Sequence, residues 1–397
     1  MDFNLSEEHR LVRDAARDVL KPFVAKKAHY REMIMKRREF PEEVWRALSE
    51  AGFHGCLIPP EHGGTGAGML AFAIVCETLA EYGFGNPLMI LTAMDGQCIL
   101  KHGSAELKAR FLPRIARGEV KLCFALTEPN AGSNTFRLET LATRQADGTF
   151  RVRGQKTYIT GANVADYALL VVRTMPLAEV EAQRLPKAYG VSLLLVDLKA
   201  PGVTLRMLPM RGIEGMNQYE LFFDDAEVPA DMLVGQEHGG MMSLFMSLNP
   251  ERILAAATAC GMTTHLLEQS VAYAKDRKVF KGRAIGEYQA IQHPLALVRI
   301  ELEATRLLVH KAAWAWDKGL PPGEVGTLAN MAKYKAAELA IMAADRAVQT
   351  HGGAGFSEEV GIVYYWDAAR LLRTAPVSNE MVLNYIAEHT LGLPRSY

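Results

Sequence analysis

Cysteine is scarce in this sequence. The five that occur, Cys56, Cys76, Cys98, Cys123 and Cys260, are scattered through apolar stretches and form no C-x-x-C pair. Neither a zinc site nor a disulfide framework has the spacing it needs, and a reducing compartment fits. Net charge is lacking too: Lys+Arg 44 stands against Asp+Glu 45, a formal −1. A nucleic acid or an anionic membrane as main partner calls for a basic excess that is not here, which leaves room only for a local basic patch facing a small anionic ligand. No apolar run is long enough to span a bilayer. The longest, Met241 to Met262, is broken by Asn249-Pro250-Glu251-Arg252. The opening residues, Met1-Asp2-Phe3-Asn4-Leu5-Ser6-Glu7-Glu8, are acidic and have no apolar core, so they do not read as a secretory signal. The expected location is the cytoplasm, or the mitochondrial matrix if a transit peptide has been removed. Repeats and low-complexity tracts are missing. What remains is 397 residues, 49% hydrophobic and 22% charged, enough for two or three domains or one large composite core.

The hydrophobic period changes twice along the chain. Residues 1–120 read as a helical domain. Ser6 with Glu7 and Glu8 opens an amphipathic run from Leu11 to Val24, with Leu11, Ala15, Val19 and Leu20 on one face. Pro41-Glu42-Glu43-Val44-Trp45 starts another helix, and Met69 to Tyr82, apolar nearly all round, reads as a buried one. The glycine-rich His62 to Gly68 loop lacks the G-x-G-x-x-G spacing and sits among helices, so it is read as a turn and not as a dinucleotide fingerprint.

Residues 121–235 read as a β domain. Leu138 to Arg144, the Asp147-Gly148 turn and Thr149 to Arg153 predict a hairpin, followed by strands at Tyr167 to Arg173, Tyr189 to Val196, Val203 to Met207 and Tyr219 to Phe223. A barrel or sandwich is expected, since no helical period intervenes. Residues 236–397 read as a helical bundle, with helices at Arg252 to Arg277, Gln289 to Lys318 and Leu328 to Thr350. Gly319-Leu320-Pro321-Pro322-Gly323 forms the clearest interhelical loop, and Gly352-Gly353 stops the last helix. The fold class is therefore α+β and multidomain.

Two blocks carry chemistry. After the apolar run Leu122 to Leu126 comes Thr127-Glu128-Pro129-Asn130-Ala131-Gly132-Ser133-Asn134, and further on Gly154-Gln155-Lys156-Thr157-Tyr158-Ile159-Thr160-Gly161. A strand running into a turn of Pro, Gly and hydroxyl residues turns backbone amides and side-chain oxygens toward an anion or a heteroaromatic edge. Arg277-Lys278-Val279-Phe280 follows, then Gln289, then Gln349 and His351-Gly352-Gly353-Ala354-Gly355-Phe356. Taken singly, each piece is an ordinary turn or helix cap. In this order and at this spacing they resemble the acyl-CoA dehydrogenase family over essentially the whole chain.

The resemblance implies FAD as cofactor and a helical, β, helical-bundle architecture. It implies that Phe124, Leu126, Thr127, Gly132 and Ser133 contact the flavin ring and pyrophosphate. Tyr158 stands where the family usually has Trp, and Thr160 where it has a Thr near flavin N5. Asn134 replaces the usual Asp. Arg277, Phe280, Gln289, Gln349, Gly352 and Gly353 correspond to elements that reach the adenosine end of a neighbouring subunit's FAD, which implies a homo-oligomer, usually a tetramer. Lys281 intervenes between Phe280 and Gly282, so this loop is one residue longer than the family's.

The family's chemistry needs a carboxylate base. Many members place it in a Y-E-G-T-S segment near the C-terminus, where this chain has Ala375-Pro376-Val377 after Arg373-Thr374. Isovaleryl-CoA and long-chain acyl-CoA dehydrogenases carry theirs at the start of a C-terminal helix in a segment like Asp-x-Glu-Arg. Asn249-Pro250-Glu251-Arg252 matches that segment. An acid in the first helical turn also suits the helix dipole, and Asn249 suits a cap, so Glu251 can serve both ends. The resemblance makes Glu251 the base and places Asn249, Arg252 and Ser133 on the substrate. It implies α,β-dehydrogenation of an acyl-CoA to a trans-2-enoyl-CoA, with electrons passing to an electron-transfer flavoprotein and neither metal nor nucleic acid involved. The rivals are an oxygen-using relative, either an acyl-CoA oxidase or a flavin monooxygenase, and a non-enzymatic flavoprotein of the same fold. Branched, bulky and long straight acyl chains stay open.

Overall fold

The computed structural model describes residues 3–396. Two compact units cut across the linear order of the chain. One gathers Lys36–Ala67 and Pro87–Pro250, the other Met1–Met35, Gly68–Asn86 and Glu251–Tyr397.

The first unit is built on an eight-stranded sheet. Its strands are β1 (Leu122–Ala125), β2 (Leu141–Arg144), β3 (Phe150–Thr160), β4 (Tyr167–Arg173), β5 (Val191–Asp197), β6 (Val203–Leu208), β7 (Gln218–Val228) and β8 (Leu233–Val234). The order is β6-β7-β3-β2-β4-β5-β8, with β1 beside β4. Neighbours are antiparallel except at β1–β4 and β2–β4, which are parallel. The hairpin expected around Asp147-Gly148 is β2–β3, with Arg144 opposite Phe150. Strands β4 and β5 are near-continuous apolar runs because both their faces are covered: Ala168 to Val172 and Leu193 to Val196 are all buried.

Helices Pro87–His102 and Ala105–Ala116 also belong here. They escape a reading by period because the first is buried nearly all round, Thr92, Asp95 and Gln97 included, and the second holds Pro113 inside it. The first has a positioning task. Thr92 Oγ1 accepts from Leu122 N at 3.0 Å and donates to Leu122 O at 3.2 Å, so the start of β1 is pinned from the helix. In the glycine-rich loop, a Cβ on Gly64 would lie 1.9 Å from the Ile58 carbonyl oxygen. That glycine serves a close backbone approach.

The second unit is helical: Glu7–Val24, Gly68–Glu81, Asn249–Asp276, Gln289–Asp317, Pro322–His351, Ile362–Leu371 and Asn379–His389 are its main helices. The helix Pro322–His351 buries Ala329, Ala332, Ala336, Ala340, Ala343 and Ala347. Ala337 and Ala344 are buried as well, while Ile341 and Val348 are only half so. Small residues let the neighbouring helices approach closely. The helix begins at Pro322, so the second half of the expected interhelical loop is already its first turn. Asp317 closes the start of Gly68–Glu81 from outside, accepting from Met69 N at 2.6 Å and Leu70 N at 2.9 Å. A part-buried ion pair, Arg306 Nε donating to Glu77 at 2.6 Å, ties Gln289–Asp317 to the same helix. The two last helices are short, and Ser378 caps the second by accepting from Met381 N at 3.3 Å.

Candidate functional site

The loop that leaves β1 is held from beneath by charge. Lys156, fully buried on β3, donates to Glu128 at 2.7 Å and to the Leu126 carbonyl at 2.9 Å. Glu128 also accepts from Glu139 N at 2.7 Å and Thr140 N at 3.0 Å. Burial pushes Glu128 up, but Lys156 and these donors hold its carboxyl below the usual carboxylate range. Burial brings Lys156 down to about 8, against the pull of Glu128. The pair is ionised at neutral pH. Above it, Glu128 and Ala131 exchange both backbone hydrogen bonds, and Thr157 N donates to Thr127 O at 2.9 Å. Gly132 and Ser133 come out on the surface, and a Cβ on Gly132 would meet nothing within 4 Å. The buried Arg173 fixes the continuation, donating to the carbonyls of Phe136 at 2.6 Å and Leu138 at 3.2 Å.

On β3 the pairing with β7 slips between Lys156 and Ile159. The residues inside the slip are Thr157 and Tyr158, and Tyr158 takes a left-handed backbone with φ 59. A non-glycine residue there costs on the order of 1 kcal/mol or more. The bulge re-aims the side chain, and the Tyr158 ring stands 56% exposed instead of packing on the sheet. Beyond it, Thr160 Oγ1 accepts from Gln218 Nε2 at 2.8 Å, while Gln218 Oε1 is buried with no hydrogen-bond partner. Phe124, Leu126, Thr127, Ser133, Tyr158 and Thr160 all lie within this one unit, on β1, the loop after it and β3.

Gly132 and Asn249 fall in the same unit, while Glu251, Arg252, Arg277, Phe280, Gln289, Gln349, Gly352 and Gly353 lie in the helical one. Arg277 directly follows Asn249–Asp276, and Phe280 is 80% exposed in the turn beyond. Lys281 takes that turn with φ 55, next to Gly282 at φ 73. Gln289 is the exposed first residue of its helix, and Gln349 is exposed near the end of Pro322–His351. Gly352 and Gly353 are open, with nothing within 4 Å of an added Cβ. Gly355 is closed, since its Cβ would lie 2.6 Å from Val348 O. The first two glycines expose backbone and the third serves packing.

Glu251 and Arg252 are half-buried in the first turn of Asn249–Asp276. Asn249 is itself helical and 6% exposed, and Leu248 before it already has a right-handed helical backbone, so Asn249 is not the extended cap residue the sequence suggests. Burial pushes Glu251 up to about 7, with Arg252 and Lys333 pulling against it. A carboxyl poised there can take and return a proton near neutral pH.

The chain matches three family models: acyl-CoA dehydrogenase N-terminal domain over residues 6–119, middle domain over 123–226 and C-terminal domain over 238–391. It is 41% identical over 388 residues to the acyl-CoA dehydrogenase FadE12 of Mycobacterium tuberculosis strain ATCC 25618 / H37Rv, covering 97% of each. It belongs to the acyl-CoA dehydrogenase family. Butyryl-CoA dehydrogenase from Megasphaera elsdenii superposes with a TM-score of 0.90 at 29% identity, covering 98% of this chain and 100% of that one. A glutaryl-CoA dehydrogenase solved with glutaryl-CoA gives 0.90 at 30%, covering 100% and 98%.

This family member therefore has the three-domain acyl-CoA dehydrogenase fold and is an oxidoreductase of an FAD-dependent family. Its own residues fit that cofactor: an open glycine at 132, an exposed ring at Tyr158, an unpaired buried acceptor on Gln218 and open glycines at 352 and 353. Among the described residues no group of three or more His, Cys, Asp or Glu could hold a metal ion, and no helix is long and apolar enough to cross a membrane. Glu128, Lys156, Gln218 and Lys333 escaped the sequence reading. For Lys156 a signal existed, because Phe150 and Val152 set the buried parity of β3 and Lys156 shares it.

Proposed function

We propose that this family member oxidises a saturated acyl-CoA to a trans-2-enoyl-CoA, with Glu251 as base, and passes the electrons to an electron-transfer flavoprotein. The observation that carries the reading is a half-buried carboxyl with a proton affinity near 7, in a chain whose other candidate position holds Ala375. FAD, when bound, supplies the acceptor for the hydride that leaves the β-carbon. Phe124, Leu126, Thr127, Gly132, Ser133, Tyr158 and Thr160 would hold its ring and pyrophosphate. Arg277, Phe280, Gln289, Gln349, Gly352 and Gly353 would hold the adenosine end.

Glu251 takes the α-proton. That proton is weakly acidic, so a positioned carboxylate contributes about 10²–10⁴ in rate. Arg252 beside it offers charge to the anionic CoA, and Asn249 and Ser133 complete the substrate set. Ala375, Pro376 and Val377 present small and apolar side chains where other members carry a carboxylate. Branched or bulky acyl groups are the first to try in a panel of acyl-CoAs assayed by flavin bleaching. Reduced flavin with product bound should be stable in air, whereas rapid reoxidation by oxygen would make the chain an oxidase.

The base reading fixes a pH dependence. Glu251 must be a carboxylate to accept the proton, and its affinity is raised to about 7. The value of kcat/KM, which reports the free enzyme, should therefore climb as pH rises through about 7 and flatten above. A profile already flat at pH 5 would contradict it. The same reading makes the protein a homo-oligomer, a tetramer by the family's pattern, and puts it in the cytoplasm, where five buried free thiols persist. Size measurement in solution checks the assembly. A monomer with full FAD content would overturn the cross-subunit role of Arg277 and Gly352.

A further inference from the structure

A cavity of about 50 Å³ lies within the helical unit. It is bounded by the short helix Lys27–Arg31, the turn after Gly68–Glu81, the middle of Asn249–Asp276 and the start of Ile362–Leu371. Its titratable lining is Lys27, Tyr30, Arg31, His265, Tyr364 and Tyr365, and among the described residues no Asp or Glu lines it. His265 is 4% exposed and its tautomer is fixed. Nδ1 lies 2.8 Å from the Glu81 carbonyl oxygen, which can only accept, so Nδ1 carries the proton. Nε2 is then bare in the neutral ring, and Lys27 Nζ donates to it at 3.1 Å. Burial, with Lys27 beside it, brings His265 down to about 4, so the ring is neutral at working pH. Tyr365 packs on that ring with centroids 5.0 Å apart. On the other side Arg31 Nη1 donates to the Val360 carbonyl at 2.9 Å, and a Cβ on Gly361 would lie 2.9 Å from the same nitrogen.

The donors and acceptors around this space do not balance. An ammonium has three N–H groups and a guanidinium five. Lys27 and Arg31 each place one of theirs, on His265 and on Val360, and neither has a carboxylate partner among the described residues. Two half-buried cations therefore share a cavity with nothing of opposite sign, an arrangement that costs stability unless a counter-charge enters. Burial and then Arg31 hold Lys27 below the ordinary lysine range, which measures the same deficit. We propose that this cavity binds one small monovalent anion, a halide or a formate-sized carboxylate, between the Lys27 ammonium and the Arg31 guanidinium. Such a guest only accepts hydrogen bonds, which is what an excess of donors calls for. Size sets the class. At 10–15 Å³ for each water, the space takes about three or four waters, or one such ion with a water beside it. A phosphate ester or any part of CoA beyond its smallest groups is too large.

Chloride is the probe, titrated into the holoenzyme at constant ionic strength with the bulky gluconate ion making up the balance. Two readouts follow it: the line width of the chloride-35 resonance and the thermal unfolding midpoint. Both should saturate at the same chloride concentration, because an ion that binds only the folded chain stabilises it by mass action. Lys27→Gln keeps a donor for His265 but removes the charge, and it should weaken binding at least about tenfold, the loss of one charge-assisted hydrogen bond. Bromide soaked into crystals should give an anomalous peak between Lys27 Nζ and the Arg31 guanidinium. Line broadening that does not saturate, or that is equal in the wild type and Lys27→Gln, would be adventitious surface association only and would overturn the proposal. So would a cavity without a bromide peak at a concentration that saturates the line width. Should Lys27→Gln not accumulate as folded protein, competition in the wild type decides. Formate must displace chloride one for one, and phosphate, too large to enter, must not. Displacement by phosphate as readily as by formate would place the ion on the open surface and end the idea.

Discussion

Replacing Glu251 by Gln will leave a folded, yellow, FAD-loaded protein that bleaches with acyl-CoA at least about a hundredfold more slowly than the wild type. Gln preserves the length of the side chain and the start of the helix Asn249–Asp276. It changes none of the residues assigned to the flavin and removes only the proton acceptor. Substrate binding should survive, so the loss falls on the chemical step. A second variant sharpens the test. Adding Ala375→Glu to Glu251→Gln supplies a carboxylate at the position many relatives use, and some activity should return if the pocket accepts it, although Pro376 constrains how that side chain is aimed. Wild-type bleaching in Glu251→Gln would leave Glu251 a helix-dipole acid and nothing more.

Lys156→Met will cost about 3–5 kcal/mol of stability, because it strands the Glu128 carboxylate in the interior without its cation. Glu128 keeps two backbone donors, from Glu139 and Thr140. These cannot balance a buried charge, so the carboxyl will take up a proton at neutral pH and the loop from Thr127 to Ser133 will loosen. The variant should lose FAD more readily as well as unfold earlier in denaturant. Adding Glu128→Gln should recover much of the loss, since the charge is then gone from both sides, and the two changes together should cost less than the sum of each alone. A single variant that unfolds at the wild-type denaturant midpoint and retains its FAD would show that the pair is dispensable to the loop.

The fold was legible where the chain obeys one period for long enough. Tyr167 to Arg173 is β4 to the residue, and the three long C-terminal helices begin and end within a few residues of the expected positions, except that the last begins at Pro322 and not near Leu328. What escaped lacks that signal. Pro87–His102 buries residues on every side, so no face stands out, and the last two helices are too short to establish a stripe. The motif residues were visible as a string, but their supports were not. Glu128 reads as one letter of a loop motif until the parity of β3 puts Lys156 inside opposite it, and Lys333 reads as a surface lysine until the helix is seen to bury nearly everything around it. Charge buried by tertiary packing leaves little trace in local sequence.

The irregular pairing of β3 with β7 has a consequence of its own. Val152 faces Ala226 but Gly154 faces Phe223, so the extra residue is first on β7, where Asp225 adopts φ 55. Lys156 faces Leu221 but Ile159 faces Tyr219, so the next extra residue is on β3. The two slips have opposite sense and cancel. Only the stretch between them is displaced, and the hairpin ends stay in phase with the rest of the sheet. A deletion on one strand alone would send the displacement to the end of the ribbon and turn Ile159 or Ala226 outward. The two irregularities can therefore be gained or lost only as a matched set, which makes the short stretch carrying Lys156 and Tyr158 a closed cassette within an otherwise regular ribbon.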